Sequence, residues 1–188
     1  MLLNRRDLLL SFGAAALGLL GRPQQAFSMG GTLPDLGEPA PDFMLSGVVP
    51  GGDGAIEAER SLRDFQGQWL VLYFYPRDFT EGCTIEAKGF QRDLQRFHAL
   101  NAEVVGISAD DTDSHKEFCG SEALTYPLLS DPGGQISKRY GSWIPPFSQR
   151  HTFLIDPEGV LKETWLAVRP LGHSREILER LEQLQAKS

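Results

Sequence analysis

Seven apolar residues follow one another from Trp69 to Tyr75 with no polar break. A run of this kind predicts a strand covered on both faces, as in a sheet flanked by helices. Pro76 closes it. The period then changes: Ile85, Ala87, Phe90, Leu94 and Phe97 recur at helical spacing and predict a helix over 84–100. A second buried strand is predicted over 103–108 and a helix over 114–123. Asp131-Pro132-Gly133-Gly134 reads as a turn before a short helix over 135–140. A third strand spans 151–156, and 160–168 turns back on it as a hairpin. Ile177, Leu178, Leu181 and Leu184 lie on one face of a C-terminal helix over 174–185. Ahead of the first strand the pattern is weaker. A short extended segment covers 39–45, a Gly-rich turn cluster 49–55, and a helical turn 61–65. Strands alternating with helices, then a late hairpin and helix, predict an α/β sandwich with helices on both faces of a central mixed sheet.

The first 28 residues stand outside this pattern. Arg5 and Arg6 precede an apolar run from Leu8 to Leu20, and Ala26-Phe27-Ser28 follows with small residues at both ends. Charged, apolar and small-residue regions in that order are those of an export signal. The run rises roughly 20 Å as a helix, short of the roughly 30 Å hydrocarbon core. A cleaved signal is therefore expected over 1–28, with no stable membrane association afterwards; an uncleaved anchor is the alternative. Asp7 and three leucines after the arginine pair resemble a twin-arginine signal, without the Phe often found there. Such a signal implies a periplasm or a thylakoid lumen. Residues 29–35 read as a linker and 36–188 as the folded domain.

The chain has 188 residues and a net charge of −7, and removing 1–28 makes it two charges more acidic. That balance, with no basic stripe, argues against nucleic acid as a partner. No Cys/His cluster has zinc spacing, so no metal is expected. Two cysteines are too few for a disulfide scaffold; they could form one bridge, or be one or two reactive thiols.

One of them, Cys83, falls where the first buried strand gives way to a helix. Functional sites in open α/β folds gather outside the carboxyl ends of strands. A helix N-terminus offers unpaired N–H groups and partial positive charge, which favour thiolate over thiol. Thr80, three residues earlier, can cap the turn or hydrogen-bond the sulfur. Pro76 fixes the loop and screens one side. Cys83-Thr84-Ile85-Glu86 is not C-x-x-C.

The run Pro76-Arg77-Asp78-Phe79-Thr80-Glu81-Gly82-Cys83 has the pattern P-x-x-x-T-x-x-C. It closely resembles the active-site motif of the peroxiredoxins, thiol peroxidases on a thioredoxin-like fold. The segment from Leu36 to Phe43 resembles that family's opening. Cys83-Thr84-Ile85-Glu86-Ala87, Val105 to Asp110 with Ser114-His115-Lys116, and Tyr126 to Asp131 are similar to its bacterioferritin-comigratory, or peroxiredoxin Q, branch. Arg150 to Asp156 matches the segment holding the family's essential arginine.

The resemblance implies a thioredoxin-like sandwich that reduces hydrogen peroxide and organic hydroperoxides with no metal, haem or flavin cofactor. It implies that the Cys83 thiolate attacks the terminal peroxide oxygen and becomes a sulfenic acid. Arg150 would hold the thiolate and the peroxide oxygens, Thr80 would orient the peroxide, and Glu86 would steer the arginine. Many members of the branch place a resolving cysteine five residues after the first; here that position is Lys88. Cys119 resembles a variant that carries it in the later helix. An intramolecular disulfide recycled by thioredoxin or a similar thiol reductant would follow, in a protein that is a monomer like its branch. A one-cysteine peroxidase, a thiol-disulfide oxidoreductase and a non-enzymatic binding module are the rivals. Trp143 and Phe147, flanking Pro145-Pro146, could wall the substrate pocket. His115 and His151 invite a general-base role, but a stabilised thiolate at Cys83 needs no base.

Overall fold

The computed structural model describes residues 27–28, 30–52 and 54–186. The expected export signal lies outside the described residues except for Phe27 and Ser28.

A seven-stranded mixed sheet runs through the domain. In chain order its strands are β1 (Met44–Gly51), β2 (Gly54–Ser61), β3 (Trp69–Phe74), β4 (Ala102–Ser108), β5 (Leu128–Ser130), β6 (His151–Ile155) and β7 (Leu161–Trp165). Their spatial order is β7-β6-β3-β4-β5-β1-β2. β3, β4 and β5 are parallel neighbours, and the remaining pairings are antiparallel. The helices are α1 (Glu81–Ala99), α2 (Thr112–Glu122), α3 (Gln135–Arg139) and α4 (His173–Gln185).

Every residue of β3 is buried, as its unbroken apolar run requires. Successive side chains of a strand point to opposite faces. Val71 and Tyr73 accordingly join Phe90, Leu94, Phe118, Ile177 and Leu181 in one apolar layer, which α1, α2 and α4 complete. Leu70, Leu72 and Phe74 join Phe43, Ile136, Tyr140 and Phe153 in the other. Each large side chain buried this way contributes roughly 1.5–3 kcal/mol. A Cβ on Gly106 would stand 2.7 Å from the Tyr73 ring, so glycine there lets that ring lie across β4. The loop after β3 and the start of α1 are thus fixed from below by the most deeply buried strand.

Three stretches differ from the sequence pattern. The turn cluster at 49–55 is the tip of a hairpin whose second strand, β2, was not predicted. Its sequence, Gly-Ala-Ile-Glu-Ala-Glu-Arg-Ser, is poor in strand formers, and half of it is exposed and none of it buried at the sheet edge. β5 is only three residues long and escapes periodicity altogether. The stretch read as a linker lies against the domain. Gly31–Thr32 pairs with Phe27–Ser28, the Gly30 carbonyl accepts from the Trp143 N–H at 3.1 Å, and Leu33 is buried. Among the described residues no helix is long and apolar enough to cross a membrane.

Candidate active site

β3 ends at Phe74, and α1 begins at Glu81. The six residues between them turn the chain through Phe79, whose φ of 59° is left-handed. That conformation is unfavourable for a bulky residue and collects at functional loops. The Phe79 ring is held edge-on to Phe118 of α2, centroids 5.2 Å apart.

Cys83 is the third residue of α1 and is buried at 1% exposure. The first N–H groups of a helix have no intrahelical acceptor and carry its positive end. Arg150, just before β6, donates from Nη2 to Cys83 Sγ at 3.3 Å. Its Nη1 donates to Glu86 Oε2. One guanidinium fork therefore spans two side chains on the first two turns of α1, three residues apart and so on one helix face. Helix end and guanidinium both present positive charge to the sulfur, the setting of a nucleophilic cysteine. Burial works against the charged guanidinium, yet Glu86 and then Cys83 more than offset it and hold Arg150 above the ordinary arginine value.

Glu86 is buried at 1%, and its Oε1 has no hydrogen-bond partner among the described residues. Burial raises its pKa to about 7, against the opposing pull of Arg150. Gly82 makes the arrangement possible: a Cβ there would stand 3.2 Å from Arg150 Nη2 and 3.6 Å from Pro170 Cγ.

The other expected residues fall as follows. Thr80 is the N-cap of α1, but its hydroxyl donates to the Arg77 carbonyl at 3.1 Å and makes no side-chain cap bond. This corrects the expectation that it caps the turn or bonds the sulfur. Pro76 is half-buried and ends β3 as expected. The Trp143 ring lies against the Gly134 turn, and the cation above it is Lys138, 5.6 Å from the ring centroid. These contacts draw Trp143 toward α3 and do not favour a pocket-wall role. Phe147 is exposed at 40%. Cys119 is buried at 3%, in the same apolar layer as Cys83, and both are free thiols. Burial, with a smaller contribution from Asp78, pushes the Cys119 thiol up to about 12.

Two features were missed in the sequence. Gly82 is one. The other is Asp78, buried on the loop between β3 and α1, which accepts from Tyr75 Oη and from Ser114 Oγ and faces His115 Nδ1, each at 2.8 Å. A carboxylate inside the P-x-x-x-T-x-x-C run, next to apolar Phe79, was the available hint. Surface grooves of about 480 and 460 Å³, one beside Phe65 and Ile155 and one beside Phe43 and Arg139, include neither Cys83 nor Arg150.

Comparison with known proteins agrees with this geometry. The AhpC/TSA family model matches residues 36–164. The mitochondrial thioredoxin-dependent peroxide reductase of Drosophila melanogaster is 39% identical over 153 residues, 77% of this chain and 64% of that protein. The chain thus spans slightly less than two thirds of that relative's length. The structure of a Xylella fastidiosa PrxQ mutant superposes with a TM-score of 0.66 at 36% identity, over 68% of this chain and 84% of that one. The Xanthomonas campestris bacterioferritin comigratory protein, solved in a study of its alkyl peroxide reduction, gives 0.67 at 29% identity, over 74% and 90%. With the family model covering well over half of it, the chain belongs to the AhpC/TSA family and is a peroxiredoxin, a thiol peroxidase on a thioredoxin-like fold.

Proposed function

We propose that Cys83 is the peroxidatic cysteine, that Arg150, Thr80 and Glu86 serve it, and that Cys119 resolves the oxidised state. The observation that carries the reading is the Arg150 fork, bonded at once to Cys83 Sγ and to Glu86. Cys83 thiolate attacks the terminal oxygen of a hydroperoxide, the O–O bond breaks, and Cys83 becomes a sulfenic acid. Charge grows on the leaving oxygen, which takes up a proton. Arg150 is placed to hold that charge without reorganising. The Thr80 oxygen, donating to Arg77, still has lone pairs with which to accept from the peroxide O–H. Hydrogen peroxide and alkyl hydroperoxides are the substrates, and thioredoxin or a similar dithiol is the reductant, in line with the names borne by the relatives.

The packing around α2 supports Cys119. Lys88 Nζ meets Glu122 Oε2 at 2.6 Å, and Gln91 Nε2 meets Thr125 Oγ1 at 2.9 Å. Both contacts tie α1 to the C-terminal end of α2 and the residues just after it, and Cys119 shares an apolar layer with Cys83. The proposed disulfide forms on local opening of the first turn of α1. The position often taken by a resolving cysteine in the branch, Lys88, instead makes an ion pair with Glu122 at the end of α2.

Residues 1–28 are proposed to export the enzyme, which N-terminal sequencing of the protein from its source would check. For the chemistry, one equivalent of hydrogen peroxide is added and a non-reducing digest is read by mass spectrometry. A linked Cys83–Cys119 peptide is expected, and Cys119→Ser should accumulate sulfenic and sulfinic Cys83. Oxidised Cys83 with a free Cys119 in the wild type would make the enzyme one-cysteine. Two unmodified thiols would overturn the site.

A further inference from the structure

The site just described leaves a buried acid–base pair unused. His115 is wholly buried on α2, and its Nδ1 stands 2.8 Å from Asp78 Oδ2. An ionised carboxylate only accepts, so Nδ1 carries the proton and a neutral ring keeps its lone pair at Nε2. That Nε2 is buried and has no hydrogen-bond partner among the described residues. Leaving such an acceptor unpaired in a core is costly and calls for a reason. Asp78 is itself fixed: Tyr75 Oη and Ser114 Oγ donate to it at 2.8 Å, and its N–H donates to Asp110 Oδ2 at 2.9 Å.

One turn further along α2 is Cys119. Residues four apart share a helix face, with Cβ atoms about 5–6 Å apart. His115, Phe118 and Cys119 are the buried residues of α2. We infer that Asp78, His115 and Cys119 form an activating triad for the resolving cysteine, with His115 Nε2 as the base that takes the Cys119 proton. The inference rests on Cys119 being the resolving residue. The logic is that of a nucleophile, a base and an orienting carboxylate, applied to the second chemical step instead of the first.

The need for a base is clear from the surroundings. Only a thiolate attacks a sulfenic sulfur. With its thiol held near 12, Cys119 is ionised at neutral pH to roughly one part in 10⁵. Nε2 and Sγ are not hydrogen-bonded in the reduced protein, so the transfer accompanies the local opening that brings the sulfurs together. The step balances as follows. Cys119 Sγ–H gives its proton to His115 Nε2, and the thiolate attacks the Cys83 sulfur. An S–S bond forms as the S–OH bond breaks, and the departing hydroxide takes the proton back as water. Cys119 is oxidised and the Cys83 sulfur is reduced.

The test separates the two steps in single turnover. Sulfenic acid is trapped with a cyclic 1,3-dione, and the linked Cys83–Cys119 peptide is quantified by rapid quench. In His115→Gln, peroxide oxidation of Cys83 should stay within about twofold, while disulfide formation slows on the order of 10²-fold, as loss of a general base does. A second measurement needs no variant. In the wild type the disulfide rate should rise less than tenfold per pH unit, because a base beside the thiol takes its proton before free thiolate accumulates. The charged groups around the ring are Asp78 on the loop and, through it, Asp110; Arg77 Nε lies 3.9 Å from Asp110. Tyr75 Oη, 3.4 Å from His115 Nδ1, is the other titratable group there. An unassisted thiol would instead give a rate that climbs tenfold per pH unit to pH 9 and beyond. Disulfide formation in His115→Gln as fast as in the wild type, or faster, overturns the triad and leaves the resolving role intact. A wild type that never forms the linked peptide overturns both.

Discussion

Glu86→Gln tests the central pair of the site, because it removes one charge and almost no volume. Burial raises the Glu86 carboxyl to about 7 even with Arg150 bonded to it. In the unfolded chain the same carboxyl titrates near 4.5. At 1.36 kcal/mol per pH unit, ionising it in the folded protein costs about 3 kcal/mol more than in the unfolded chain. For an acid raised by folding, the folded state binds the proton more readily. Its contribution to stability is therefore fully present below about pH 4.5, is lost as pH rises through about 7, and is flat above. Glutamine does not titrate, so the variant lacks this loss. Its amide N–H₂ takes the place of the unpartnered Oε1, which adds an offset that does not vary with pH. Urea unfolding of both proteins from pH 4.5 to 8.5, with unchanged m-values, should show the stability difference growing by about 3 kcal/mol in favour of the variant. The peroxide reaction should move the other way. Arg150 loses its ionic anchor, a charge-assisted bond worth about 1.5–3 kcal/mol, and the second-order rate at Cys83 should fall on the order of tenfold or more. Stability would then rise as function falls, the sign of a strained working site. Stability curves that run parallel over this pH range would refute the reasoning.

Arg150→Met should lower the stopped-flow rate of Cys83 oxidation by roughly 10²–10³-fold, and Arg150→Lys should recover little, since an ammonium cannot span Cys83 and Glu86 as a fork does. Gly82→Ala should cut the same rate several-fold by pressing on Arg150 Nη2 at 3.2 Å, while thermal melting shows the helix no weaker, alanine being the better helix residue by about 0.5–1 kcal/mol. Thr80→Val should leave thermal stability within about 0.5 kcal/mol, against the roughly 1 kcal/mol lost with a true N-cap, because the Thr80 side chain makes no cap bond. Its peroxide rate should still fall about tenfold through loss of one neutral hydrogen bond. A melting point lowered in step with activity would return Thr80 to a capping role.

What could be read from the sequence divides along a physical line. β3, β4 and β6 were legible because burial on both faces demands unbroken apolar runs, and α1 because one apolar stripe faces the sheet. β2 was not, because an exposed edge strand needs no pattern and discourages association with Glu and Arg. The same line runs through the site. Cys83, Thr80 and Arg150 carry chemistry in residue types scarce enough to notice, and a motif orders two of them in one short segment. Gly82 acts by what it lacks, and only the guanidinium lying over it reveals why. Asp78 and His115 are 37 residues apart and meet because the fold brings the loop after β3 against the start of α2, which no local pattern records. On the proposed reading, His115 serves Cys119 and not Cys83. Cys83 has a helix end and the Arg150 guanidinium beside its sulfur. Cys119, shut in apolar packing one turn from an imidazole nitrogen with no partner among the described residues, is the thiol proposed to need a base. The two cysteines therefore differ less in exposure, 1% against 3%, than in what surrounds them. On the proposed reading, cationic donors at one and a carboxylate-bound imidazole one helical turn from the other separate nucleophile from resolver within one apolar layer.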